Sequence, residues 1–168
     1  MGITASELLS LSGRNDEALT VLGRGATLRP HNVDIIVALG AARMQAGQFE
    51  LGLSDIERAI ALKPRSPAYV HSFAALGLLA IGHPKVALQH ATEGRERGPG
   101  YTGCFLCTVH ALSALGRPTE AAAQITDLLD YSPKFTIQTP LVRFALERNP
   151  ETLARHLEYL RAAGLPED

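Results

Sequence analysis

The segment from Ile36 to Pro64 reads IVALGAARMQAGQFELGLSDIERAIALKP, and its pattern predicts two short helices folded back on each other. The first half is apolar on almost every face, and Gly47 then supplies the positive φ that ends a helix at little cost. The second half spaces its apolar residues by three and four, as an amphipathic helix does, and its charged residues, Asp55 among them, are expected mostly on the opposite face. One hairpin of this kind cannot bury its apolar faces, so it requires neighbours of similar shape.

The same pattern recurs along the chain. Four glycines are spaced 34, 35 and 34 residues apart, and each precedes a small residue by five positions and a proline by seventeen. The glycines are Gly13, Gly47, Gly82 and Gly116; the small residues are Ala18, Gly52, Ala87 and Ala121; the prolines are Pro30, Pro64, Pro99 and Pro133. This register predicts a series of stacked hairpins.

The repeated unit resembles the tetratricopeptide repeat (TPR), a helix–turn–helix of about 34 residues. The resemblance covers Ser6 to Pro133 and implies an all-α, right-handed superhelical solenoid of antiparallel helix hairpins. The predicted repeats span about 1–30, 31–64, 65–99 and 100–133, with a degenerate capping hairpin at 134–166, all within one solenoid domain. The sequence departs from the family where a large aromatic residue is usual in the first helix, because Arg43, Leu78 and Leu112 stand there.

The two ends of the array depart from the repeat pattern. Met1 to Ser12 is predicted to be a shortened first helix. Near the other end, a short helix is predicted from Pro140 to Glu147, and an amphipathic helix after Asn149-Pro150 is predicted to cap the array and to end at Gly164. Terminal repeats of solenoids are atypical because one of their faces meets water.

Composition excludes several classes of function. A net charge of −1 with 20% charged residues provides no basic surface for nucleic acid or anionic lipid. The apolar runs are too short for a membrane span, and no signal-peptide pattern opens the chain, so a cytoplasmic protein is expected. Two cysteines without a disulfide pattern fit a reducing compartment, and the bias toward Ala, Leu, Gly and Arg suggests a bacterial source.

No motif in the sequence predicts catalysis, a cofactor or a metal site. Cys104 and Cys107 form a C-x-x-C three residues before His110, but the four ligands of a tetrahedral zinc site are not offered. Two buried, unreactive thiols are the favoured interpretation, and a redox or metal protein using this pair is the alternative. The six histidines lie scattered through different repeats, with no pair at i, i+4; they are His31, His71, His83, His90, His110 and His156.

The predicted binding site is the concave groove, which the first helices line in the TPR family. The register carries this face onto Asp34, Val37, Ala41, Met44 and Gln45 in the second repeat, Tyr69, Ser72, Leu76 and Leu79 in the third, and Gly103, Leu106, His110 and Ser113 in the fourth. None of these is the Lys, Arg or Asn with which TPR proteins clamp the carboxylate tail of chaperones. Small and apolar side chains instead favour an apolar peptide or a partner helix, and Met44, Leu76, Leu79 and Leu106 are expected to form an apolar patch on it.

The predicted function is therefore that of a non-catalytic scaffold that binds a protein or peptide, with the partner and the oligomeric state left open. An alternative comes from the tail, where the segments 132–137 and 157–167 are similar to tails that follow repeat arrays in bacterial class III adenylate cyclases and winged-helix transcriptional activators. That similarity implies a regulatory TPR module related to, or detached from, such a regulator.

Overall fold

The computed structural model describes residues 15–139, 146 and 149–168, and within them every regular element is an α-helix. The helices are α1 Asn15–Leu28, α2 Val33–Gln45, α3 Phe49–Leu62, α4 Ala68–Ala80, α5 Pro84–Arg97, α6 Thr102–Ala114, α7 Pro118–Tyr131 and α8 Pro150–Ala162. Consecutive helices pack against each other along the array, which confirms the predicted all-α solenoid of hairpins. The helix predicted over Met1–Ser12, Gly13, and the helix predicted from Pro140 to Glu147 lie outside the described residues, apart from Leu146.

Glycine turns close the three central hairpins, as the period predicts. Their φ values are positive, 80° at Gly47, 83° at Gly82 and 71° at Gly116. After α2 the backbone N–H of Gln48 donates to the carbonyl of Arg43 at 2.8 Å, and the N–H of Gly47 donates to Met44 at 2.9 Å. This pair of bonds is the Schellman motif, which satisfies carbonyls that a helix end leaves unpaired and which needs a left-handed residue.

Helix starts are fixed by caps and prolines in the positions that favour them. The side chain of Asn32 accepts a hydrogen bond from the N–H of Ile35 at 3.1 Å, and Asn149 does the same for Thr152 at 3.0 Å. Proline occupies the first turn of α5, α7 and α8, where its missing N–H has no partner to lose. Local sequence thus defines where α2, α5, α7 and α8 begin.

The two helices of the second repeat approach closely at a pair of glycines. A Cβ added to Gly52 of α3 would lie 2.7 Å from the carbonyl oxygen of Gly40 in α2, and one added to Gly40 would lie 2.9 Å from the carbonyl of Gly52. Backbone leaves no room for either carbon, so glycine at both positions permits this contact. The buried core continues on either side, one cluster extending from α2 to α6 and a second joining α6, α7 and α8.

Asp55 does not lie on the exposed face of α3 as the helical pattern predicted. It is buried, and its carboxylate accepts a hydrogen bond from the guanidinium of Arg43 at 2.6 Å. Burial raises the pKa of Asp55 above its ordinary value, and the Arg43 charge offsets part of that rise. Arg43, which stands in α2 where the repeat pattern would place a large aromatic residue, therefore has its own partner in α3. The charged pair closes this hairpin, whereas Leu78 and Leu112 occupy the same position in the next two.

Candidate functional site

Five side chains of the predicted groove are buried rather than exposed, as is Gly103, which corrects the expectation of an apolar patch at the surface. Met44 has no exposed surface, and Leu106 and Leu79 are 3% and 7% exposed. The other two are Val37 and His110. A peptide could contact these five side chains only if the helices around them moved apart.

These side chains are buried because neighbouring helices pack over the first helices that carry them. Met44 packs between two hairpins, since a Cβ added to Gly52 would meet its Cγ at 2.7 Å and one added to Gly77 would meet its Cε at 2.8 Å. In the fourth repeat, α8 packs on α6, so Leu106 joins a core cluster with Leu157 and Leu160 of the last hairpin. The register gave the direction of each side chain around its helix but not the neighbour lying over it.

The remaining groove candidates are exposed or half-buried, and they concentrate on α2 and α4. They are Asp34, Ala41, Gln45, Tyr69, Ser72, Leu76 and Ser113. Leu76 belongs to a half-buried row on α4 with spacings of four, three and four, formed by Tyr69, Phe73, Leu76 and Ala80. On α2, the side-chain oxygen of Gln45 is buried and has no hydrogen-bond partner. An unpaired buried acceptor is energetically unfavourable.

A second set of apolar side chains, which the sequence reasoning did not single out, is exposed mainly on the second helices. The set, with one residue following α6, comprises Val21, Leu28, Leu51, Leu62, Val86, Leu115 and Tyr131. Several share a register position, since Leu51 and Val86 each follow a turn glycine by four residues. Because this periodicity is visible in the sequence, the same glycine alignment could have found the set.

The two thiols are buried and protonated. The thiol of Cys104 donates to the carbonyl of Ala68 at 3.5 Å, and that of Cys107 donates to the carbonyl of Ser72 at 3.6 Å. Burial raises the pKa of both thiols to about 12. Since the thiolate is the nucleophile and the metal ligand, neither cysteine is chemically reactive in this state, and both serve to pack α6 against α4.

Two histidines form a buried pair between α6 and α8. The Nδ1 atoms of His110 and His156 lie 2.9 Å apart, and the edge of Tyr159 contacts the His110 ring at a centroid distance of 5.2 Å. Burial lowers the pKa of His110 to about 4 and that of His156 to about 3. Both rings are neutral at pH 7, so one Nδ1–H can donate to the other Nδ1 and join the last helix to the array.

A third histidine belongs to a polar cluster that the sequence pattern did not predict. His71 of α4 faces the neighbouring helix α5 instead of the groove, and one donor atom each of His71, His90 and Glu93 lies within 4.8 Å of the other two. His90 and Glu93 are three residues apart, so the i, i+3 spacing was visible. Only the packing of the hairpin brings His71 to them.

Comparison with protein families and with curated proteins finds no relative of this chain, whereas comparison with solved structures finds proteins of the same fold. No protein-family model matches the sequence, and no curated protein matches it. Among solved structures, the chain is similar to MamA, at 14% identity and a TM-score of 0.71, over 97% of this chain and 94% of that one. It is equally similar to the thermophilic TPR protein TTC0263 of Thermus thermophilus, at 20% identity and a TM-score of 0.71, over 96% and 89%. The fold is that of a TPR protein.

A third similar structure is described as YrrB, a TPR protein with an unusual peptide-binding site. It is 18% identical, with a TM-score of 0.65, and the match covers 96% of this chain and 82% of that one. Identities this low establish the shared fold and nothing about ligands. These three neighbours do not support the resemblance of the tail to cyclases and winged-helix regulators, which stays a prediction. Among the described residues, no helix is long and apolar enough to cross a membrane.

Proposed function

We propose that this chain is a non-catalytic cytoplasmic scaffold that binds a peptide or helix with an apolar segment on the face formed by α2 and α4. The half-buried row of α4, centred on Leu76, carries the proposal. The predicted groove is thereby reduced to its second and third repeats, because α8 packs against α6 in the fourth.

The chemistry of this face suits a partner that buries apolar surface. Ala41 on α2 and Ala80 on α4 have small side chains, and the half-buried Leu76 on α4 supplies apolar area. Removing such area from water is worth about 25 cal/mol per Å², before the ordering costs of association.

Binding should depend weakly on charge. Asp34 is the one ionised residue among the predicted groove positions, and it is exposed, where salt screens its interactions. A partner recognised through apolar contact should therefore remain bound as salt is raised. A catalytic role finds no support in the cysteines, whose thiols stay protonated at neutral pH.

The test uses peptides selected from a displayed library of random sequences against the immobilised protein, followed by fluorescence anisotropy with the purified variants. Leu76→Lys should weaken the selected peptides at least about ten-fold, because a charged side chain replaces a desolvated apolar contact. Leu51→Lys is the matched control, since Leu51 is 54% exposed on the second helix α3.

Circular dichroism must show that both variants keep the parent's helicity. If Leu51→Lys weakens peptide binding and Leu76→Lys does not, the binding site lies instead on the exposed apolar set of the second helices. Loss of binding in high salt with both variants unaffected would instead indicate a charged site and refute the proposal.

A further inference from the structure

A cluster of metal-ligating side chains lies between α4 and α5, away from the proposed binding face. His71 is fully buried, while His90 and Glu93, one helical turn apart on α5, are half-buried. The Nδ1 atoms of the two histidines are 3.5 Å apart, and the Nε2 of His71 lies 3.8 Å from a carboxylate oxygen of Glu93. Within the part of the chain that the structure describes, these are the only three His, Cys, Asp or Glu residues grouped this closely.

The cluster is poorly satisfied by its own hydrogen bonds. The Nε2 of His71 is buried and has no hydrogen-bond partner, although neutral imidazole has one donor and one acceptor to satisfy. In its neutral form the ring offers one nitrogen lone pair to a ligand. A cation placed among the three side chains would use that lone pair together with a second imidazole and a carboxylate.

The spacing and the ligand types fit a divalent transition metal. Zinc holds nitrogen and oxygen ligands at about 2.0–2.2 Å, which places tetrahedral ligands roughly 3.3–3.5 Å from each other. One ligand atom from each of the three side chains lies within 4.8 Å of the other two, and the Nε2 of His71 is 3.8 Å from the Glu93 carboxylate. Side-chain rotations that close these gaps by about 1.3 Å or less would bring the three atoms to the tetrahedral edge. Two histidines with one glutamate leave a fourth position open, and imidazole favours zinc and similar ions over magnesium or calcium.

We propose that His71, His90 and Glu93 bind a divalent transition-metal ion, with Zn²⁺ the best fit, and that the ion ties α4 to α5. Glu93 also lines a surface cleft with Gln89 and Thr92, which gives the ion a path from solvent. The site would stabilise the third repeat, the one that carries Leu76.

Arg97 is the group that opposes the metal. Its guanidinium donates to a carboxylate oxygen of Glu93 at 2.9 Å and would have to release it or share the carboxylate with the ion. Removing Arg97 should therefore leave the affinity for the ion equal or raise it. If the three side chains formed only a hydrogen-bonded cluster, the protein would not bind the ion at this site, and removing Arg97 would not change its Zn²⁺ affinity.

The experiment measures Zn²⁺ affinity of the full chain, stripped with a chelator, by competition with a chromophoric chelator, and Co²⁺ binding by its visible absorption. His90→Ala and Glu93→Gln should each weaken Zn²⁺ at least about ten-fold and abolish the tetrahedral Co²⁺ spectrum. His83→Ala is the matched control, because His83 is exposed at the start of the same helix and lies outside the cluster. It should bind as the parent does.

Zn²⁺ should also raise the melting temperature of the parent and of Arg97→Gln but not of His90→Ala, since an ion that binds only the folded state stabilises it. The proposal is overturned if the parent binds Zn²⁺ more weakly than about 100 µM. It is overturned equally if His90→Ala and Glu93→Gln both keep the parent's affinity, if His83→Ala weakens it as much, or if Arg97→Gln weakens it.

Discussion

The buried pair of His110 and His156 should make the stability of the protein fall as the pH drops from 7 to 5. The pKa values of the two rings are lowered by burial to about 4 and about 3, whereas an unfolded histidine titrates near 6.5. Above pH 7 both states are neutral and the pair has no effect. Below about pH 6.5 the unfolded chain binds protons that the folded chain refuses, so the free energy of unfolding declines until the folded rings themselves titrate.

The size of the effect follows from the same pKa difference. For each histidine that stays neutral in the folded state, the free energy of unfolding falls by about 2 kcal/mol between pH 7 and pH 5. The pair therefore lowers it by about 4 kcal/mol. That is a large share of the roughly 5–15 kcal/mol that stabilises an ordinary domain. The positive charge of Arg155 acts in the same direction because it also disfavours protonation of His110.

The assay is urea unfolding followed by circular dichroism at pH 7, 6 and 5, for the parent and for the double variant His110→Leu/His156→Leu. Replacing both partners by apolar groups of similar size leaves neither nitrogen unpaired, so the variant should fold. Its loss of stability between pH 7 and pH 5 should be smaller than the parent's by about 4 kcal/mol. The control is the double variant His31→Leu/His83→Leu, at two exposed positions. It should lose as much stability between pH 7 and pH 5 as the parent does.

Titration of the imidazoles, followed by NMR, tests the burial of the pair directly. Both rings should remain neutral at pH 5. If His110 and His156 titrate near 6.5 in the folded protein, or if the double variant keeps the parent's dependence on pH, the pair is not buried as described.

Three further predictions concern packing. Ala59→Asp should lower the free energy of unfolding by more than about 3 kcal/mol, because Ala59 has no exposed surface and the carboxylate would have no partner. The control Ala61→Asp, at an exposed position two residues away, should change the urea midpoint little. Cys104→Ala/Cys107→Ala should lose about 1–3 kcal/mol but keep peptide binding, and in the parent both thiols should resist iodoacetamide until urea unfolds the chain. Alkylation of the native thiols at the rate of free cysteine would contradict their burial. Leu79→Lys, at a position that the sequence assigned to the groove, should lower the melting temperature, because Leu79 is part of the core.

The periodic features of the fold were predictable from the sequence because they depend on local chemistry. Gly47, Gly82 and Gly116 adopt the positive φ values that their positions implied, since a helix end followed at once by another helix needs a left-handed residue.

The features that were not predictable depend on contacts between helices distant in sequence. Asp55 is polar and was placed on the outer face of α3, but its burial depends on Arg43 lying opposite in α2. Leu106 is in register with the groove, but α8 packs on α6 and Leu106 is buried in a cluster with Leu157 and Leu160. His71 meets Glu93 only after α4 packs on α5. A repeat register gives the angle of a side chain around its own helix and leaves its neighbours undetermined.

The central claim is that the first helices α2 and α4 form the binding face, and NMR chemical-shift mapping of a selected peptide tests it most directly. On addition of the unlabelled peptide, the largest shifts should occur at the amides and methyl groups around Ala41, Gln45 and Leu76, and they should persist in high salt. Shifts that cluster instead around Leu51 and Val86, on the exposed faces of the second helices, would contradict the claim.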